Sequence, residues 1–140
     1  MITKMGWLVS VGLFLVVGSA IAQEADKEKI AVVAAEKWLA TIDNGQYAGS
    51  WQEAATYFRN AVSKEQWVQS LQAVRKPLGK LQSRQVLSKS YRISLPGAPD
   101  GEYVVIQFKT SFENKASAVE TVTPMMDKDG KWRVSGYFIK

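Results

Sequence analysis

The chain has 140 residues, 46% of them apolar and 22% charged, with a formal net charge of +5. It holds no histidine and no cysteine, which excludes disulfides, thiol nucleophiles, Ser-His-Asp triads and zinc sites built on those ligands. Its basic residues are scattered rather than run together, so they read as a solvated surface and not as a nucleic-acid footprint.

Met1–Ala22 has the layout of a secretory signal. Lys4 supplies a short positive region, Trp7 to Ile21 is a nearly unbroken apolar run, and Ala20-Ile21-Ala22 is a small-x-small cleavage site before Gln23. The apolar run is shorter than the ~20 residues of a membrane span. The competing reading is an uncleaved N-terminal anchor. No cysteine follows the run to carry a lipid. The expected organisation is therefore a signal over 1–22 and one domain over 23–140, periplasmic or secreted, with no stable membrane anchor after cleavage.

Asp26–Asp43 predicts the first helix of that domain. Val32, Ala35, Leu39 and Ile42 fall at helical spacing with Trp38 beside them, and Asn44-Gly45 ends the pattern. A second helix is expected from Tyr47 or Ser50 to Val62, lined by Tyr47, Trp51, Phe58 and Val62. Ser50-Trp-Gln-Glu53 has the form of a capping box. Ser63-Lys-Glu-Gln66 is a second such box, opening a third helix with Trp67, Leu71, Val74 and Leu78 on one stripe. Pro77 and Gly79 stop it.

From Leu81 the period changes to two. A strand over about Leu81–Leu95 puts Leu81, Leu87, Tyr91, Ile93 and Leu95 on one face. The Pro- and Gly-rich stretch Pro96–Gly101 is a loop. The next strand carries Val104, Ile106, Phe108, Thr110 and Phe112 on one face and Tyr103, Val105, Gln107, Lys109 and Ser111 on the other. Glu113-Asn114-Lys115 turns the chain into a third strand, Ser117–Met126, and Asp127–Gly130 turns it again. The last strand, Lys131–Lys140, alternates Trp132, Val134, Gly136 and Phe138 against Arg133, Ser135, Tyr137 and Ile139, and Gly136 predicts a bulge or bend within it. Short connections make all four strands antiparallel. The fold class is α+β, with three N-terminal helices packed on a curved four-stranded antiparallel sheet.

This element order resembles the nuclear-transport-factor-2-like (cystatin-like) cone fold, in which a curved sheet wraps a long helix and leaves an apolar mouth. At the level of residues the chain is identified as a member of the bacterial domain-of-unknown-function-4019 family. The resemblance runs through Trp38-Leu39, Ile42–Tyr47, Ser50-Trp51, Trp67, Arg75–Gly79 and Ser83-Arg84. It continues through Leu95–Gly97, Asp100–Tyr103, Phe112, Glu120–Val122 and Trp132–Tyr137. It implies a fold and an exported location, and no activity.

Six residues are candidates for lining a ligand pocket: Trp38, Tyr47, Trp51, Arg84, Glu120 and Trp132. The aromatic ones serve equally well as core, since each such ring buries about 150–250 Å². Arg84 and Glu120 sit in strands and either pair across the sheet, line the cone mouth, or are unrelated surface charges. Arg75 is placed to bind the last carbonyls of the third helix. Asp43 and Tyr47 are the residues an isomerase or dehydratase would use, and Asp43 also suits a plain turn before Asn-Gly. Asp127-Lys-Asp129-Gly130 lacks the remaining ligands of a calcium loop. No metal and no cofactor is expected. The leading expectation is a non-enzymatic exported binding domain. Its partner is a protein, a second copy through the sheet face bearing Tyr103, Val105 and Gln107, or a small apolar ligand. The alternative is a small cone-fold enzyme using a pocket carboxylate.

Overall fold

The computed structural model describes the backbone from Thr3 to Lys140 and the side chains from Gly18 onward. The expected signal, Met1–Ala22, lies mostly outside the residues whose side chains are described. Among the described residues, no helix is long and apolar enough to cross a membrane.

Helix α1 spans Thr3–Asp43, so it starts well before the predicted Asp26. Its core face carries Ala31, Ala35, Trp38, Leu39 and Ile42, all buried. Gly45 takes φ 78°, and the N–H groups of Asn44, Gly45 and Gln46 bond back to Ala40, Ile42 and Thr41. A left-handed residue at this position closes helices because it turns the chain while satisfying the last carbonyls.

The expected second helix is two short ones, α2 (Tyr47–Gln52) and α3 (Thr56–Ala61). The Ser50 capping box does not form. Ser50 is wholly buried inside α2, where its hydroxyl donates to the Tyr47 carbonyl and accepts from the Trp67 indole. The break at Ala54-Ala55 has a tertiary cause: the Ala55 N–H bonds to the Val134 carbonyl at 2.8 Å, so the chain leaves the helix to reach the sheet. The Asp127 carboxylate then caps α3 from a distant turn, accepting from the N–H and hydroxyl of Thr56. Helix α4 (Lys64–Val74) opens on the Ser63–Gln66 capping box as its sequence predicts. A 3-10 turn, Lys76–Leu78, follows, and Gly79 leaves it at φ 77°.

Strands β1 (Leu81–Arg92), β2 (Tyr103–Phe112), β3 (Lys115–Met126) and β4 (Trp132–Ile139) form one open antiparallel sheet in that order. The predicted alternation of β2 holds: Val104, Ile106, Phe108, Thr110 and Phe112 are all buried against the helices. Bulges overturn it elsewhere. The β1 register slips at Gln82 and at Leu87, so Arg84 and Tyr91 turn toward the core while Leu87 is exposed. In β4 the slip falls at Ser135, beside Gly136. Beyond it Tyr137 points inward and Phe138 outward, opposite to a strict alternation from Trp132.

The other sheet face also differs from expectation at one end. Tyr103 is only 1% exposed, and its hydroxyl donates to the Pro99 carbonyl, so the 96–101 loop covers it. What stays open there mixes polar and apolar groups: Ser88, Ser90, Arg92 and Gln107 with Leu95, Pro96 and a half-buried Val105.

Candidate functional site

Two clusters organise the helix-facing side of the sheet. The first is aromatic. Trp38 stacks on Trp67 with centroids 6.1 Å apart, and Tyr137 meets Trp38 edge-on at 5.4 Å. Phe58 meets Trp67 edge-on at 4.9 Å. Offset and edge-on contacts suit the ring quadrupoles. Each buried indole also satisfies its N–H: Trp38 on the Ser50 carbonyl and Trp67 on the Ser50 hydroxyl. Half-buried Trp51 does the same on the Val62 carbonyl. These rings are core.

The second cluster is ionic. Asp43 is the last residue of α1, where a carboxylate opposes the helix dipole. Two guanidiniums offset that. Arg84 reaches Asp43 with both terminal nitrogens, at 2.7 and 3.1 Å, and Arg75 adds a contact at 3.2 Å. Arg84 also binds Glu120 through Nε at 2.7 Å and Nη2 at 3.2 Å. One planar fork thus holds two carboxylates bidentately, which a lysine has no geometry to do. Arg75 sits 4.4 Å from the centre of the Phe112 ring and donates to the Gly79 carbonyl.

Glu120 is completely buried. Its Oε1 accepts from Arg84 and from Thr110 at 2.6 Å, and its Oε2 accepts from Arg84 and from the Tyr137 hydroxyl. All its acceptor positions are used. Two carboxylates and two guanidiniums make the cluster neutral. Burial lowers the Arg84 pKa, but hydrogen bonds to Asp43 and Glu120 outweigh it and raise the value. Burial, then the charge of Glu120, pushes the Tyr137 hydroxyl far up. As arranged, every carboxylate oxygen of the cluster already accepts at least one hydrogen bond from a side chain of the cluster. It joins the end of α1 and the turn after α4 to β1, β3 and β4.

The six sequence candidates therefore divide. Arg84 and Glu120 pair across the sheet, one of the three arrangements their sequence positions left open. Trp38 lies beside them through Tyr137. Trp132 is half-buried at a separate open groove of about 510 Å³, which it shares with Trp38, Lys37, Gln52 and Lys131. Tyr47 and Trp51 pack on the edge of the core in α2 and are not bonded to the cluster. The sequence reading missed Thr110 and Tyr137 as partners of Glu120, and missed that Arg75 and Arg84 share Asp43. An acid ending a helix and an arginine within a strand were the signals available. The Asp127–Gly130 turn is a hairpin, with its carboxylates bound by Thr56, Lys128 and Arg133.

A third feature is a mainly apolar groove of about 270 Å³ between α4 and the end of β4. Trp67, Leu71 and Val74 form one wall, and Tyr137, Phe138 and Ile139 the other. Val74 is 55% and Phe138 54% exposed.

These features define a two-layer α+β domain whose open antiparallel sheet is clamped to its helices by a buried ion cluster. The family model described as protein of unknown function (DUF4019) matches residues 34–137, and the chain belongs to that family. No curated protein and no solved structure matches it.

Proposed function

We propose that this is an exported, non-enzymatic binding domain that engages a protein partner or a small apolar ligand. The observation that carries the reading is a contrast. The buried Glu120 carboxylate is saturated by arginine, threonine and tyrosine donors and Asp43 is held by two arginines, while the apolar groove between α4 and β4 is open to solvent. Groups held this way lock a structure and leave no base for the isomerase or dehydratase alternative. Exposed apolar side chains around a concavity mark an interaction site. The groove, walled by Trp67, Leu71, Val74, Tyr137, Phe138 and Ile139, suits an apolar partner. Export rests on the Met1–Ala22 pattern, and the cone-fold relationship on element order.

Native mass spectrometry of the protein purified from its own compartment tests this. The expected spectrum carries added mass, from a ligand or another chain, and Val74→Glu loses it while keeping its circular dichroism. A bare monomer mass at high concentration, with no added species, overturns the reading.

A further inference from the structure

The end of β4 has an unusual edge. Val119 and Lys140 exchange reciprocal backbone hydrogen bonds of 3.0 and 2.9 Å, which sets the parity of the β3–β4 ladder. Thr121 then stands opposite Phe138 and Val122 opposite Tyr137. Antiparallel ladders alternate bonded and non-bonded pairs, so Phe138 bonds toward β3. The N–H and C=O groups of Tyr137 and Ile139 point the other way, out of the sheet. Among the described residues nothing hydrogen-bonds to them.

Other positions on the two edge strands carry guards. The Ala55 N–H occupies the Val134 carbonyl, and on β1 the Glu28 carboxylate accepts the Tyr91 N–H. Strand β1 also carries bulges, Lys89 and Arg92. Natural sheets blunt their edges with such devices. Tyr137-Phe138-Ile139 lies beyond the Ser135 bulge, carries no charged side chain, and borders the apolar groove.

We infer that a second copy of this chain adds to this edge, forming a two-fold symmetric dimer through antiparallel β4–β4 pairing. This rests on the binding-domain reading and names the partner. The edge is self-complementary. Two residues with outward peptide groups flank one without, so an axis through Phe138 pairs Tyr137 of each copy with Ile139 of the other. All four peptide groups of each edge are then used. The pleat sends Ile139 of the second copy to the inner side, beside Tyr137, where it enters the groove walled by Trp67, Leu71 and Val74. Symmetry fills both grooves at once. Phe138 faces its own copy across the axis and covers its exposed ring. The contact is small, below the roughly 1,200 Å² of standard interfaces, so the dimer is weak and exchanging. Each copy carries a net positive charge, so salt strengthens the association by screening repulsion.

Site-specific crosslinking of the full chain tests this. The protein has no cysteine, so Phe138→Cys introduces a single thiol. At the axis of a non-bonded antiparallel pair the two Cα atoms lie about 4.5 Å apart, within disulfide reach. Under mild oxidation Phe138→Cys should give a disulfide dimer at least tenfold faster than Ile93→Cys, an exposed control at the opposite edge. Adding Ile139→Pro to Phe138→Cys removes an outward N–H without touching the β3 ladder, and should return the rate to the control. Val74→Glu, on an exposed site, should slow it as well. Equal rates for Phe138→Cys and Ile93→Cys overturn the proposal. So does a sedimentation dimer that Ile139→Pro leaves intact, which would move the interface elsewhere and spare the binding-domain reading. A bare monomer in both experiments removes both.

Discussion

Replacing Arg84 with methionine tests whether the ion cluster is a closed, low-dielectric clamp. The side chain is 10% exposed and donates four hydrogen bonds, two to Asp43, which is 14% exposed, and two to Glu120, which is fully buried. Methionine fills much of the volume and leaves Glu120 with only Thr110 and Tyr137, and Asp43 with Arg75. Removing one partner of a buried pair costs about 3–5 kcal/mol, against about 0–1 for an exposed pair. We expect about 3–5 kcal/mol by urea denaturation at neutral pH, or a melting temperature lower by on the order of 10–15 °C. The deficit is the cost of leaving the fully buried Glu120 carboxylate without its cation. Adding Glu120→Gln to Arg84→Met should recover part of the loss, giving a coupling of more than about 1 kcal/mol. A cost below about 1 kcal/mol would refute the reasoning, because it is what a solvated pair gives.

Three further outcomes follow from local geometry. Ser50→Ala leaves the buried Trp67 indole N–H without its acceptor and should cost about 1–3 kcal/mol in thermal or chemical unfolding. Gly79→Ala forces an alanine to φ 77° with its Cβ 2.5 Å from a Glu113 oxygen, and should destabilise by more than about 1 kcal/mol, measured the same way. The Asp127–Arg133 hairpin should make stability fall in acid. Asp129 is held down at about 2 by its hydrogen bond to Arg133, and the Thr56 N–H lowers Asp127. A depressed folded pKa gives stability that is present above the ordinary value of 3.8 and is lost as pH falls toward about 2. Melting temperatures across that range should flatten in Asp129→Asn.

Part of the fold was legible because it is set by local chemistry. Strand β2 read correctly because no bulge interrupts it, so period two runs from Val104 to Phe112. The Ser63–Gln66 box and the Gly45 stop read correctly because caps and left-handed residues act within a few positions of themselves, whereas the third helix ends at Val74 and Gly79 closes the 3-10 turn after it. The second helix did not, because Ala54-Ala55 leaves helical geometry to give an N–H to Val134, roughly eighty residues away. The candidate site was half legible. Arg84 and Glu120 stood out as charges within strands, but their partners Asp43, Thr110 and Tyr137 lie on other elements.

What the sequence alone determined is the kind and order of the elements: helices by their apolar stripes and caps, strands by alternation, turns by glycine and proline. Those signals are short-range, and each is complete within its own segment. What only the tertiary structure decided is which way each residue faces after a bulge, and therefore what meets what. Slips at Leu87 and Ser135 invert the faces of β1 and β4, and the second turns Tyr137 onto Glu120 and Phe138 out to solvent. A bulge arises from the fit between two strands and their packing on the helices. The clamp and the open β4 edge both depend on such slips, so they are properties of the assembled sheet.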